Sequence, residues 1–489
     1  MSNPEATPEA GSEPQIRNAP CGLFPILAAL GPGLVVIGSV MGSGELINTP
    51  HQAAKFGFVL LWAVILSCVI KYFLQIEIGR FTLAHRCTPF EAFSTLPFPK
   101  FRGTSWIGLA YMGVSLPTSL AFAGMTGATA GMMHSLIPLT DNAETSNTIW
   151  ILIVAFVTWA ILWRGVYAEM EKLIMILVLG FSISVVVAIF LIQGTEFRIG
   201  MSDLTKGMSF SLGKDPQLAA FAVISLMGAL GATANELFMY PYWILEKGYA
   251  DFTGPPESEG WQERTRGWIR ILQVDVGLAT FLTTIITAAY FLMGAAVLHS
   301  QGIEVKGTGV VDELSRMFTD SYGPWSRGLF LIGAFCTLFS TLIVGIAAFA
   351  RMWGDMFVCL GTIPKDDAKG VRKVQRIAEA GYMIMIPVLA IYGGSIAKFL
   401  TRLILGPAEP GPDGEPAAET EIGPATLVIA GQYVSGLFCT PLLIFAICWL
   451  AFRTDKRVRM GTASAVCLVI SVIAITACIL ISTVMNILG

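Results

Sequence analysis

Apolar residues in this chain come in long unbroken runs, not in the one-sided stripe of a surface helix or the alternation of a half-buried strand. The runs centre on residues 26–48, 58–84, 105–135, 148–163, 173–193, 218–245, 268–298, 328–350, 377–394, 425–452 and 463–487. At about 20 residues per bilayer crossing, they predict eleven transmembrane helices. The fourth run is the shortest and the ninth contains Pro387. Composition agrees: 54% of residues are hydrophobic and 13% charged, against about 25% charged in soluble domains. The chain is therefore read as an all-α integral membrane protein. The plasma (inner) membrane is the expected location.

Of the 31 Lys and Arg, 20 fall before the first run or in the segments after the second, fourth, sixth, eighth and tenth, 9 in the intervening segments, and Lys71 and Arg80 within the second run. Short loops rich in these residues stay in the cytoplasm. This places the N-terminus inside and, with eleven crossings, the C-terminus outside. The opening segment MSNPEATPEAGSEPQIRNAP has no basic start followed by a short apolar stretch, so a cleaved signal peptide is not expected and residues 1–22 read as a disordered cytoplasmic tail. GPAEPGPDGEPAAETEIGP at 406–424 reads as a flexible acidic linker in an outer loop. The nine cysteines are scattered without a CxxC pair, as expected of free apolar residues. Nothing suggests nucleic-acid binding. No catalytic nucleophile, phosphate loop or cofactor motif is present, so no enzyme and no resident cofactor are expected.

The chain echoes itself. MGSGELINTP at 41–50 and ATANELFMYP at 232–241 place Glu, Leu and Pro at the same offsets, each after small residues, in the first and sixth runs. Transporters made of two inverted five-helix repeats put two discontinuous helices at those positions, and their opened backbone lines the substrate site. Such backbone is tolerated at membrane depth only where it is buried in protein or faces a water-filled cavity. Its free carbonyls, together with Ser43, Thr233, Asn235 and the carboxylates of Glu45 and Glu236, are hard donors suited to a cation. Small residues also serve close helix packing, but an acid in each break is costly in a membrane and points to function.

GPGLVVIG at 31–38, QAAKFGFVLLW at 52–62, MGALGAT at 227–233, LFLIGAFCTLFSTLI at 329–343 and FRTDKRVRMG at 452–461 resemble the corresponding segments of the natural resistance-associated macrophage protein (NRAMP) divalent-metal transporters. The resemblance runs from the first span to the eleventh. It implies a LeuT-like fold: a first repeat at 23–195, an inverted second repeat at 196–452, and an eleventh helix at 453–489. A monomer in the lipid bilayer with a divalent metal ion as substrate is the implied assembly.

The departures carry the chemistry. Where the family reads Asp-Pro-Gly-Asn in its first helix, this chain has Gly42, Ser43, Gly44 and Glu45. Where the sixth helix reads Gly-Ala-Thr-x-Met-Pro-His, it has Gly231, Ala232, Thr233, Ala234, Asn235, Glu236 and Leu237. The implied ion site is thus Gly42, Ser43, Glu45, Ala232, Thr233, Asn235 and Glu236. Asn235 in place of a soft thioether argues against a dedicated iron or manganese carrier. Gly42 in place of Asp should widen the cavity and let the ion keep waters, which suits Mg²⁺. The pattern resembles the NRAMP-related magnesium transporters, with Mn²⁺ as a second accepted ion. A proton-coupled Mn²⁺ or Fe²⁺ carrier and a symporter of a small organic solute are the alternatives.

The third run, SLPTSLAFAGMTGATAG at 115–131, lacks the acids that the family carries there, and His51, His85, His134 and His299 stand near the ends of runs. Transport without proton coupling is expected. Glu77 and Arg80 are read as an i,i+3 ion pair. Lys71 is expected to snorkel or pair locally, and Arg164, Glu169, Glu171 and Lys172 to form a solvated face. Asp275 is either a group of the inner vestibule or a structural acceptor.

Overall fold

The computed structural model describes residues 16–29, 42–97, 99–165, 167–231, 234–303, 305, 309–405 and 422–488. Among them the chain is almost entirely helical. In chain order the main helices are α1 (Leu23–Ala29), α2 (Thr49–Phe56), α3 (Leu61–His85), α4 (Trp106–Leu136), α5 (Ala143–Arg164), α6 (Tyr167–Leu191), α7 (Pro216–Leu226) and α8 (Ala234–Glu246). They continue as α9 (Trp261–Met293), α10 (Val310–Tyr322), α11 (Ser326–Cys359), α12 (Ala368–Leu405), α13 (Pro424–Val434), α14 (Thr440–Arg453) and α15 (Thr462–Leu488). A two-residue hairpin, β1 (Lys100–Phe101) with β2 (Thr104–Ser105), is the strand pairing among these residues.

Nine helices among the described residues are long and apolar enough to cross a membrane, and Pro216–Leu230 is a shorter apolar one. The first predicted run falls partly on residues 30–41, outside the described residues, and the sixth is described on either side of residues 232–233. The fourth run extends to Ala143–Arg164, and α12 continues through Pro387. A proline is tolerated inside a membrane helix when neighbours and local adjustment satisfy the carbonyl it frees.

Glycines set the closest crossings. A side chain at Gly124 of α4 would run into the Pro424 carbonyl and Val428 of α13, and one at Gly431 of α13 into the backbone of Ala121. Small residues let two helix backbones meet at van der Waals distance where lipid offers no hydrophobic driving force. Around the lower half of α8, Phe238 stacks on Tyr111 of α4, with ring centroids 4.6 Å apart, and meets Phe90 edge-on at 4.8 Å.

The tail differs from the expectation at its C-terminal end. Arg17 N–H donates to Phe252 O at 3.0 Å, the Trp268 indole donates to Arg17 O at 3.0 Å, and the Arg17 guanidinium lies over the Phe252 ring. Residues from Ile16 onward are therefore docked by backbone hydrogen bonds that composition does not reveal. Residues 1–15 and the acidic segment 406–421 lie outside the described residues. All nine cysteines are free.

Candidate functional site

Four π-helical turns occur among the described residues; one, Gly294–His299, follows α9, and the other three pack together: Gly44–Asn48 before α2, Met227–Gly231 after α7 and Ser435–Cys439 after α13. Each contains glycine, and such turns occur most often at functional sites. They pack together because nothing protrudes between them. A Cβ at Gly228 would fall onto the Gln432 carbonyl, one at Gly436 onto the Ile224 carbonyl, and one at Gly44 would lie 3.2 Å from Ala229 O.

Side chains then lock the crossing. Asn48 Nδ2 donates to Ser225 Oγ at 2.9 Å, tying the first broken helix to α7, and Gln52 Nε2 donates to Asn48 Oδ1 at 3.0 Å. Gln432 Nε2 donates to Ser43 Oγ at 3.1 Å, tying it to α13. Thr49 and Thr440 hydroxyls donate to the Gly44 and Ser435 carbonyls at 2.8 and 3.1 Å, satisfying acceptors that the π turns free.

The turns enclose one side of a cavity of about 130 Å³. Gly42 and Ser43 line it from the first broken helix, Gly228, Ala229 and Glu236 from the sixth, Gln432 and Ser435 from α13, Thr118 from α4 and Thr341 from α11. Its remaining wall is apolar, with Phe122, Trp243 and Phe349 beside three thioethers, Met125, Met239 and Met352. Trp243 and Val344 also line a second cavity of about 440 Å³ that holds Glu246, Arg351 and Glu379. They stand as the partition between a chamber and a polar vestibule. Two links join α8 to α11: Glu246 to Arg351 at 3.2 Å in the vestibule, and the Tyr242 hydroxyl donating to Asp355 Oδ2 at 2.5 Å.

Of the sequence-predicted site residues, the fold brings Gly42, Ser43 and Glu236 to the chamber. Ala232 and Thr233 lie outside the described residues, and Asn235 sits in the first turn of α8 with its backbone alone described. Glu45 is buried at 1% exposure but does not line the chamber. Its Oε2 accepts the Gly42 N–H at 3.0 Å, the N3-to-N-cap half of a capping box. Its Oε1 has no hydrogen-bond partner among the described residues. Gly42 departs from the expected widening of the cavity: a Cβ there would lie 2.7 Å from Thr341 Cγ2, so Thr341 already occupies the space that the glycine vacates.

Lys71 does not pair locally. It reaches from the middle of α3 to form an ion pair with Glu236, 165 residues away. Glu77 and Arg80 do form the i,i+3 pair, Nε to Oε2 at 3.1 Å, and Arg80 also donates to Val458 O. Asp275 is buried in α9, away from both cavities. None of the four histidines lines the chamber, and His299 and His134 are engaged at helix ends with Ala54 O and Ser146 Oγ.

Gln432 and Ser435 escaped sequence reasoning, yet GQYVSG at 431–436 carries the same signal as the other two breaks: polar residues framed by glycines inside an apolar run. The methionines carried no such signal, because a thioether within an apolar helix is indistinguishable from ordinary packing.

Helices that loosen into π turns around a shared chamber suggest the LeuT-like fold, and solved structures bear out that fold. The chain superposes on a mutant of the Eremococcus coleocola manganese transporter with a TM-score of 0.64 at 13% identity, covering 95% of this chain and 88% of that one. It also superposes on MhsT in complex with L-phenylalanine with a TM-score of 0.58 at 15% identity, covering 94% and 98%. The sequence model of the natural resistance-associated macrophage protein-like family matches residues 33–405, and the chain belongs to that family. Among its relatives is the divalent metal cation transporter MntH of Caldanaerobacter subterraneus subsp. tengcongensis, 25% identical over 328 residues, 66% of this chain and 70% of MntH. An uncharacterised protein of Pasteurella multocida is 23% identical over 328 residues, 66% of this chain and 69% of its own length.

Proposed function

We propose that the protein carries divalent metal ions across the membrane by alternating access, with partly hydrated Mg²⁺ as its main substrate and Mn²⁺ as a second. The observation that carries this reading is the chamber's donor set among the described residues: one carboxylate, Glu236, with the side-chain oxygens of Ser43, Thr118, Thr341, Gln432 and Ser435, no His or Cys, and the thioethers of Met125, Met239 and Met352 in the wall. A single carboxylate in a chamber of about 130 Å³ leaves room for an ion that retains waters. Mg²⁺ dehydrates reluctantly and is usually held by one or two carboxylates plus water.

The carrier works without proton coupling in this reading, because the third helix offers Thr118 and no acid to the chamber. Membrane potential supplies the drive: about 2.3 kcal/mol per charge per 100 mV is about 4.6 kcal/mol for a divalent ion, enough for accumulation on the order of a thousandfold. Asn235 completes the site in this proposal and Glu45 holds its frame through the Gly42 N–H, with the N-terminus in the cytoplasm and the monomer as the working unit.

The test is uptake into proteoliposomes loaded with a magnesium dye or a pH dye under a potassium-diffusion potential. Mg²⁺ and Mn²⁺ should enter, faster at inside-negative voltage and without acidification. No protein-dependent Mg²⁺ signal would refute the magnesium reading, and acidification that tracks the metal would refute the uncoupled one. The apolar wall of Phe122, Trp243, Phe349 and the three methionines supports a second reading, a small organic cation paired with Glu236. Uptake of a labelled amine that Mg²⁺ does not compete away would favour it.

A further inference from the structure

We propose that Lys71 is a tethered internal cation that sets the chamber's selectivity for divalent over monovalent ions; this deepens the reading of Glu236 as the ion's carboxylate and rests on it. Glu236 faces the chamber, yet its carboxylate is paired with Lys71, and the two side chains are only 19% and 6% exposed. On its other side, Lys71 borders a small pocket with Gln75, Thr280 and Thr283, whose neutral oxygens can receive an ammonium group.

Charge decides which cation holds the carboxylate. A sodium or potassium ion brings Glu236 no more charge than the ammonium does, and unlike the ammonium it must first be taken from solution. Such an ion leaves the pair intact. A divalent ion brings twice the charge and displaces the ammonium, which withdraws toward Gln75, Thr280 and Thr283. The carboxylate stays paired throughout this exchange, and the displaced ammonium is left to the neutral oxygens of Gln75, Thr280 and Thr283, a cost that only the stronger attraction of a doubly charged ion offsets.

The experiment compares full-length wild type, K71M, K71R, E236Q and K71M/E236Q in proteoliposomes. It uses Mn²⁺ as the probe and measures its half-saturation with and without competing Na⁺ or K⁺, each at about 0.1 M, with choline chloride holding the ionic strength constant so that screening is the same in every arm. K71M should lower the half-saturation about tenfold or more, the scale on which one neighbouring charge changes a carboxylate's affinity for a cation as small as the proton. It should also make uptake sensitive to the monovalent ions. K71R should behave as wild type, and in the E236Q background K71M should change neither quantity.

Folded K71M with unchanged half-saturation and no monovalent inhibition would overturn the proposal, as would weaker Mn²⁺ binding. If E236Q by itself leaves Mn²⁺ uptake intact, the assignment of Glu236 fails first and the role of Lys71 falls with it. Should K71M not survive purification, T283V tests the same exchange: it removes a hydroxyl from the receiving pocket without touching the ion pair. Several-fold weaker Mn²⁺ uptake is expected, and wild-type uptake would overturn the proposal.

Discussion

Gly42 offers a quantitative test of how the site is packed. Its N–H holds Glu45 Oε2 and its carbonyl accepts Leu46 N–H at 3.0 Å, so a displacement at Gly42 is felt through the whole first turn of the broken helix. A Cβ at this position would lie 2.7 Å from Thr341 Cγ2 and 3.0 Å from its Oγ1, well inside the contact distance of about 3.5 Å. Overpacking of this kind costs about 1–3 kcal/mol, which at 1.4 kcal/mol per decade is about five- to 150-fold in an equilibrium. Gly42→Ala should therefore lower the thermal midpoint in detergent and weaken Mn²⁺ uptake. Thr341→Ala removes both close atoms and leaves its Cβ 3.3 Å away, a contact relieved by a small shift. Alone it forfeits the hydroxyl's bond to Thr337 O at 2.9 Å, worth about 1 kcal/mol. The double variant should recover most of what Gly42→Ala loses. Strict additivity of the two substitutions, or a Gly42→Ala protein indistinguishable from wild type, would show that Thr341 does not fill the space beside Gly42.

Gly228→Ala should be more severe, because its Cβ would strike the Gln432 backbone rather than a side chain; loss of the monodisperse peak on size exclusion is expected, and an active, stable variant would contradict the close approach. Glu45→Ala should nearly abolish uptake by releasing the Gly42 N–H, whereas Glu45→Gln keeps an acceptor and should retain uptake within a few-fold; equal loss in both would show that the charge itself is required. Asn235→Met should raise Cd²⁺ uptake relative to Mg²⁺, since a thioether is a softer ligand than an amide, and an unchanged ratio would take Asn235 out of the ion's reach. In the loop before α15, the hydrogen bonds of the Arg457 side chain hold the Asp455 carboxyl below its usual range. Its stabilising effect is present above the unfolded value of about 3.9 and is lost as pH falls through the lower folded value. The midpoint difference between wild type and Asp455→Asn should thus stay flat from about pH 8 to about pH 9 and close in acid, once the neighbouring His85 and then the carboxyl itself have taken up protons; a difference that persists in strong acid would contradict it.

Hydropathy alone determined that the chain is a bundle of membrane helices, because a bilayer demands long apolar runs whatever their partners. The Glu-Leu-Pro echo at 45–50 and 236–241 located two of the breaks, since small residues and an acid at membrane depth are too costly to be incidental. Three things were decided only by tertiary structure. Gln432, 389 residues from Ser43 along the chain, joins the site because glycine-framed turns let the backbones meet. Glu45 and Glu236 look equivalent in sequence, yet one accepts a backbone N–H of its own first turn and the other faces the chamber and pairs with Lys71, a difference set by which groups the packing brings beside each carboxylate. Lys71 pairs across the bundle with Glu236 rather than with a neighbour in α3, because a buried charge goes to whichever opposite charge the packing brings near, and sequence distance places no limit on that.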